Sequence, residues 1–184
     1  GVSPWIWWAD VKPQTRTELS LPLESSNFIS KEPSVRYRGF FINDEWPSFG
    51  SWTTGMFGDF NAQMYDKMFQ LLLRMKGNYL WPAMWSASFP LDGPGLGNVE
   101  LADIYGVVMG ESHHEPCCRA SEEWDKVRGV DTVYGNVWNF YTNREGLLRY
   151  WDEALARNSK YETMITIGMR GERDTSMLGD HSSL

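Results

Sequence analysis

Cysteine is scarce in this chain of 184 residues. The only two cysteines, Cys117 and Cys118, are neighbours in the sequence, and adjacent cysteines form at best a strained bridge. They therefore provide neither a disulfide framework nor the separated ligands of a tetrahedral metal site. We expect no metal and no cofactor, and the cysteine count leaves the redox compartment open.

Positive charge is also in short supply. The chain has 17 Lys and Arg against 24 Asp and Glu, a net charge of -7, and no basic run. Nucleic acids and anionic membranes both require a concentrated positive surface, so neither is expected as a partner. The hydrophobic fraction of 42% is typical of a globular protein rather than of a disordered or membrane protein.

The chain has no apolar leader and no phosphate-binding loop. It starts at Gly1 without a segment of signal type, so we expect it to come from the middle of a longer polypeptide. No predicted strand is followed by a G-x-G-x-x-G turn, which argues against a nucleotide-binding sheet.

Aromatic residues, by contrast, are abundant. Phe, Trp and Tyr make up 15% of the chain, with ten tryptophans. Indole rings suit flat amphipathic ligands such as carbohydrates, although most individual tryptophans are expected to pack in a core.

The chain divides into two parts. Residues 1–34 are predicted to be the end of a preceding domain and a linker, and residues 35–184 form the second part. In that part, strands are predicted to alternate with helices. The predicted strands are 37–43, 78–84, 107–112 and 163–170, and the predicted helices are 61–77, 98–106 and 142–158.

Local signals support the predicted helices. Gly77 and Gly106 are expected to end the first two, and Asn98 is expected to cap the second. Thr142 and Glu145 have the spacing of a capping box at the start of the third. The predicted buried stripes are Met64, Met68, Leu71, Leu72 and Met75 in the first helix, and Leu147, Leu148, Trp151, Ala154 and Leu155 in the third.

Alternating strands and helices predict a parallel sheet, either open and doubly wound or closed into a (β/α)8 barrel. The polar and aromatic residues that follow each strand favour the barrel, whose active sites lie at the carboxyl ends of the strands. Because a complete barrel takes roughly 250 residues, the chain is interpreted as a truncated N-terminal half-barrel of about four βα units.

The groups that follow the four strands should converge at one barrel mouth. They are Asn43, Asp44 and Glu45, then Trp81 to Trp85, then His113, His114 and Glu115, and finally Arg170, Glu172 and Asp174. Taken singly, the first and last groups could be solvated loop charges, and adjacent histidines lack the spacing usual for zinc.

Taken together, paired carboxylates beside tryptophans are typical of the active site of a glycoside hydrolase. Arg170 directly follows a strand, so its guanidinium could hold a sugar carboxylate at the mouth. The same residues are also compatible with other barrel hydrolases and with lyases.

Four segments carry a resemblance to a known family. The sequences "PSVRYRGFFINDE", "LLLRMKGNYLWPAMW", "YGVVMGESHHEP" and "ITIGMRGERD", in this order, resemble the xylan α-1,2-glucuronidases of glycoside hydrolase family 115. The resemblance covers essentially the whole chain. It departs from the family pattern at Cys117 and Cys118, where methionines are more usual, a change expected to affect packing more than chemistry.

The resemblance implies a large secreted or periplasmic enzyme that removes glucuronic acid, often 4-O-methylated, from glucuronoxylan or its oligosaccharides with inversion. It implies catalytic roles for Asp174, Asp44 and Glu45. The substrate-binding residues that it implies are Asn43, Trp85, His113, His114 and Arg170.

The family draws further catalytic groups from later strands, so the fragment alone is expected to be inactive. The full-length enzyme could form a homodimer. Two alternatives are kept: a carbohydrate-binding barrel that has lost catalysis, and a hydrolase or lyase that acts on another uronic-acid polysaccharide.

Overall fold

The computed structural model describes residues 16–27, 29–43, 45–168, 170, 171 and 175. The strands are β1 (Gly39–Phe41), β2 (Tyr79–Trp81) and β3 (Val108–Met109). The helices are α1 (Leu23–Ser26), α2 (Ser48–Phe57), α3 (Ala62–Arg74), α4 (Gly97–Tyr105), α5 (Ser121–Val127) and α6 (Arg144–Asn158), with a short 3-10 helix at Pro116–Cys118.

The three strands form one parallel sheet in the order β1-β2-β3. Phe41 lies opposite Trp81 in the first pair, and Leu80 lies opposite Met109 in the second. Parallel neighbours need a crossover between them, and helices α2 and α3 make the first crossover while α4 makes the second. The predicted α/β class with a parallel sheet is therefore confirmed.

The long helix α3 forms because its sequence has both a cap and one apolar face. The side chain of Asn61 accepts hydrogen bonds from the backbone N–H groups of Gln63 (3.0 Å) and Met64 (3.3 Å). Such a cap satisfies amide groups that have no partner inside the first turn. Met64, Met68 and Leu72 are buried, as their spacing predicts.

The end of α3 differs from the prediction. The helix stops at Arg74, and the left-handed residue that follows is Lys76 (φ 64°) rather than Gly77. Met75 is 65% exposed instead of buried. Gly77 is needed for another reason, because a β-carbon there would lie only 2.5 Å from the Leu72 side chain.

Helix α4 starts one residue before the predicted cap. Asn98 therefore lies inside the helix, and its buried side-chain amide donates to the backbone oxygens of Phe60 (3.1 Å) and Phe89 (3.0 Å). The prediction of an Asn98 cap was wrong because a tertiary contact uses that side chain. Gly106, in contrast, ends the helix with a positive φ of 66°, as predicted.

Helix α6 begins without the predicted capping box. Its first flanking residue is Asn143, and no side chain caps the helix. The Asn143 amide instead donates to the backbone oxygens of Tyr134 (2.7 Å) and Val137 (2.9 Å), which ties the preceding loop to the helix. In the predicted stripe, Leu147 is buried, but Leu148 is 43% exposed.

The predicted fourth strand does not form across the described residues of 163–170. A single parallel bridge joins Thr163 to Met109, and the Met164 N–H donates to the Met109 oxygen at 2.8 Å. Strands of a parallel sheet are normally covered on both faces. Here Ile165 and Ile167 are 48% and 84% exposed, so the segment lies along β3 without the burial that would hold it in a ladder.

Two apolar clusters stabilise this arrangement. The larger lies between α3, α4 and the sheet and includes Tyr65, Phe69 and Leu80. The smaller is aromatic and lies around α5 and α6, with Trp124, Trp138, Leu147, Tyr150 and Trp151 as its buried members. Several tryptophans are therefore core residues, as expected from the aromatic content.

Candidate active site

The carboxyl ends of the three parallel strands lie at the same edge of the sheet. The segment after β1 contains Asn43 and Glu45, and the segment after β2 contains residues 82–86. The segment after β3, residues 110–119, is called the His loop below because it contains His113 and His114. The parallel register brings these segments together, although they are far apart in the sequence.

Four of the predicted binding residues form a continuous cluster at this edge. The indole N–H of Trp85 donates to the Asn43 side-chain oxygen at 3.1 Å. The ring of Trp85 meets the ring of His114 edge to face, with centroids 4.9 Å apart. The rings of His113 and His114 lie 4.5 Å apart.

The exposure of these side chains divides them into two groups. Asn43 is exposed, Trp85 is 41% exposed and His113 is partly buried, so all three can reach a ligand. His114 is buried and lies against Trp85, where it supports the indole. The cluster thus offers an amide, an imidazole and an aromatic face, the combination that suits a sugar with polar rims and apolar C–H faces.

Glu45 lies beneath this surface. It has no solvent exposure, and one of its carboxyl oxygens accepts the backbone N–H of Met84 at 2.9 Å. The contact joins the end of β1 to the end of β2 and helps to set the position of Trp85. This geometry gives Glu45 a positioning role, and its direct part in proton transfer stays a prediction.

Three other predicted site residues are not tested by these contacts. Asp44 and Asp174 lie outside the described residues. Arg170 is exposed, and its backbone oxygen accepts the indole N–H of Trp138 at 3.1 Å. Trp138 belongs to the aromatic cluster around α6, so this bond holds the segment after the bridge against that cluster.

The His loop is held by hydrogen bonds on both sides. The Ser112 hydroxyl accepts the His114 N–H at 3.2 Å and lies 2.7 Å from the sulfur of Met84. The oxygen of His114 accepts the N–H of Ser121 at 3.1 Å. At the far end, Cys117 donates its N–H to Thr166 at 3.0 Å. These bonds fix the backbone on which the two imidazoles stand.

A buried ion-pair network reinforces the end of the His loop. The Glu123 carboxylate accepts from Arg157 at 2.9 and 3.1 Å and from Arg119 at 2.9 Å. The same Arg157 guanidinium donates to the backbone oxygen of Cys118 at 3.1 Å, and Arg119 donates to that of Tyr150 at 2.8 Å. Two arginines around one carboxylate thus connect α5, α6 and the His loop.

A comparison with protein families then identifies the chain. The model of the family described as Glycosyl hydrolase family 115 matches residues 30–183. The chain belongs to glycosyl hydrolase family 115. A comparison with curated proteins gives no significant match. The family resemblance recognised in the four sequence segments is confirmed, and the protein is a member of a glycosidase family.

Two acids in the His loop of this family 115 protein are buried, and only one of them, Glu115, was among the residues predicted at the strand ends. Glu111 and Glu115 are 4% and 1% exposed. Burial raises the pKa of Glu111 to about 8, although a hydrogen bond with Cys118 opposes the shift. Burial also raises the pKa of Glu115, and the nearby Glu111 carboxyl adds to that shift. Glu111 lies within the predicted strand 107–112, and its position there gave no sign of a buried acid.

The two cysteines at which the chain departs from the family pattern have a structural role. Cys118 is 1% exposed and pairs with the Glu111 carboxyl, and burial raises the pKa of its thiol. Both cysteines have positive φ angles, 56° at Cys117 and 63° at Cys118, so they form a tight turn. Cys118 therefore does more than fill space, since it is the hydrogen-bond partner of a buried acid.

Glu111 should make the stability of the family 115 chain depend on pH. The unfolded carboxyl loses its proton near 4.5, whereas the folded one keeps it to about pH 8. The folded state then binds more protons between these values, so the free energy of unfolding falls as pH rises through this window. Each unit of difference corresponds to about 1.4 kcal/mol. We expect Glu111→Gln to make this part of a plot of urea midpoint against pH less steep, while Glu115 still contributes to the slope.

The exposed acid Glu162 offers a matched control for this measurement. Glu162→Gln should leave the urea midpoint close to the wild-type value, because that side chain is 66% exposed and an exposed ion pair contributes at most about 1 kcal/mol. A Glu111→Gln profile that still falls as steeply as the wild-type profile between pH 5 and 8 would assign the effect to another group.

Two kinds of feature are absent from the described residues. No group of three or more His, Cys, Asp or Glu in this part of the chain is arranged to hold a metal ion. Among the same residues, no helix combines the length and the apolar character that crossing a membrane requires.

Proposed function

We propose that this family 115 chain is part of an α-glucuronidase that releases glucuronic acid or its 4-O-methyl ether from glucuronoxylan side chains. The cluster of Asn43, Trp85, His113 and His114 at the carboxyl edge of the sheet is the observation that carries the proposal. Membership in a glycosidase family supports hydrolysis as the reaction. The more specific part of the proposal is that the released sugar is a uronic acid and that the polymer is a xylan.

Each exposed member of the cluster has a distinct task in this proposal. Asn43 and His113 hydrogen-bond sugar hydroxyls, and Trp85 packs against an apolar face of the pyranose ring. His114 holds the Trp85 ring in place. Arg170 pairs with the uronate carboxylate, since a guanidinium forms two parallel hydrogen bonds with a planar anion.

The chemistry in this proposal is an inverting displacement at the anomeric carbon. One carboxylic acid protonates the leaving oxygen, and a second carboxylate activates water from the opposite side of the ring. The two groups must stand roughly 6.5 to 9.5 Å apart so that the water fits between them. We assign Asp174 to proton transfer and Asp44 to the orientation of water or substrate.

The proposed scaffold is a (β/α)8 barrel of which this chain supplies the first half. The parallel order β1-β2-β3, with helices in each connection, is the arrangement from which such barrels are built. The single parallel bridge between Thr163 and Met109 supports a further strand beside β3 in this proposal. Barrel enzymes hold their sites at the carboxyl ends of the strands, where the cluster lies.

The direct test is the release of uronic acid from glucuronoxylan by the natural polypeptide that contains this chain. Reducing the sugar carboxylate to an alcohol should lower kcat/KM by roughly 10- to 150-fold, because a hydrogen bond to a charged group contributes about 1.5 to 3 kcal/mol. Arg170→Ala should lower the activity on the native substrate by a similar factor. It should have little effect on the reduced substrate.

Three outcomes would contradict this assignment. Equal rates on native and reduced substrates would show that Arg170 does not pair with the sugar carboxylate. Binding of xylan without release would indicate a carbohydrate-binding barrel, and activity restricted to pectin or alginate would indicate a different uronic-acid polysaccharide.

A further inference from the structure

A second indole, Trp46, lies beside the cluster at the same edge of the sheet. Its N–H donates to the hydroxyl of Ser86 at 2.9 Å, and Ser86 directly follows Trp85 in the sequence. The two loops are therefore connected twice, because Trp85 bonds back to Asn43. Trp46 is 48% exposed, more than Trp85 at 41%.

The position of the Trp46 ring is set from below by Gly50 in α2. A β-carbon built at Gly50 would lie 2.5 Å from two atoms of the six-membered part of the indole and 3.0 Å from a third. The backbone of α2 therefore covers one face of the ring. The edge of the ring that carries the N–H is bonded to Ser86, so the exposed part of the side chain is mainly the opposite face of the ring.

The indole held in this way interacts with a ligand through its exposed face. Its single polar atom is already bonded to Ser86, so a flat apolar surface that stacks on this face is a suitable ligand. The C–H face of a pyranose ring is such a surface. An uncharged sugar fits this face better than an anionic one, because the face of an indole is the negative side of its quadrupole and the chain has a net charge of -7.

We propose that Trp46 is a stacking platform for a neutral pyranose unit of the polysaccharide main chain that carries the cleaved side-chain sugar. The inference rests on the proposed function, which places the uronic acid itself against Trp85 and His113. Trp46 then belongs to a neighbouring subsite that recognises the polymer rather than the leaving sugar. Selectivity for long substrates over short ones follows from this arrangement.

The test compares two substrates in the natural polypeptide. One is glucuronoxylan, and the other is a disaccharide in which the uronic acid is attached to a single xylose. Trp46→Ala should raise KM for the polymer by roughly 2- to 10-fold, the range expected for loss of one aromatic stacking contact. The increase for the disaccharide should be smaller, so the ratio of the two KM values should rise. Trp46→Phe, which keeps an aromatic face, should recover part of the loss.

A second variant moves the ring without removing it. Gly50→Ala should displace the Trp46 indole, since its added methyl group has no room, and should change the same KM ratio in the same direction. Met56→Ala is the matched control, because Met56 is an exposed apolar residue near the end of the same helix. Circular dichroism of each variant establishes that the fold is retained.

Binding of unsubstituted xylo-oligosaccharide, measured by calorimetry, separates this inference from the proposed function. These ligands lack the cleaved sugar, so they report on the main-chain subsite whether or not the enzyme releases uronic acid. Weaker binding to Trp46→Ala than to the wild type supports the platform. Equal affinity, together with an unchanged KM ratio in correctly folded Trp46→Ala, would overturn it.

Discussion

Glu123→Ala should lower the free energy of unfolding by about 3 to 5 kcal/mol, the range for removing one partner of a buried ion pair. The Glu123 side chain is 2% exposed and accepts three hydrogen bonds from Arg119 and Arg157. Without it, two guanidinium groups stay charged beside each other in a largely dry site. Urea unfolding followed by circular dichroism measures the loss.

The same network contains its own control. Glu153 lies 3.5 Å from Arg119, but its side chain is 47% exposed. Glu153→Ala should therefore cost at most about 1 kcal/mol, as expected for a solvated pair. Glu123→Gln should fall between the two, because the amide keeps an acceptor and loses the charge. A loss below 1 kcal/mol for Glu123→Ala would show that the arginines find other partners.

This network also links stability to the site. Arg157 donates to the backbone oxygen of Cys118, and Cys118 pairs with Glu111 at the other end of the His loop. Weakening the network should therefore loosen the loop that carries His113. Interactions far from the cluster thus contribute to the precision with which the imidazole is held.

The sequence predicted which strand ends lie together better than it predicted the ends of individual elements. The carboxyl ends of parallel strands share an edge, so identifying three strands was sufficient to bring Asn43, Trp85 and His113 together. That inference depends on topology and tolerates errors of a few residues in strand length. It joined Asn43 to Trp85, which are 42 residues apart along the chain.

Local signals failed where a tertiary contact competed for the same side chain. Asn98 has the right type and position for the predicted cap, but its amide donates to backbone oxygens of two neighbouring segments. The predicted capping box of Thr142 and Glu145 does not form, and the Asn143 amide at this point ties the preceding loop to the helix. The segment after α6 has the apolar composition of a strand, yet Ile167 is 84% exposed. Composition specifies a preference, and packing on both faces decides whether a strand forms.

The buried acids and the network could not have been found from sequence patterns. Glu45, Glu111 and Glu123 are acidic, and acidic side chains are almost never fully buried unless paired. Only the three-dimensional arrangement shows which acid is enclosed and which is solvated. Trp46 is a similar case, because its orientation depends on Gly50 and on Ser86 in another loop.

Asp174→Asn should lower kcat for uronic acid release by roughly 10²- to 10⁴-fold, the usual contribution of a group that transfers a proton in the transition state. KM should change much less, because the amide keeps the size and polarity of the carboxyl group. Asp174 lies outside the described residues, so this expectation comes from its place in the family motif "MRGERD". Asp152→Asn, on the exposed face of α6, is the matched control and should be close to wild type.

An aryl glucuronide substrate shows whether Asp174 acts as the general acid or as the general base. Nitrophenolate leaves without protonation, so Asp174→Asn should lose much less activity on 4-nitrophenyl α-glucuronide than on glucuronoxylan if Asp174 is the general acid. Equal losses on both substrates would make it the base that activates water, because attack by water is needed in either reaction. The pH profile should agree, with the basic limb altered in the first case and the acidic limb in the second. A kcat within threefold of wild type on both substrates would remove Asp174 from the proton-transfer step.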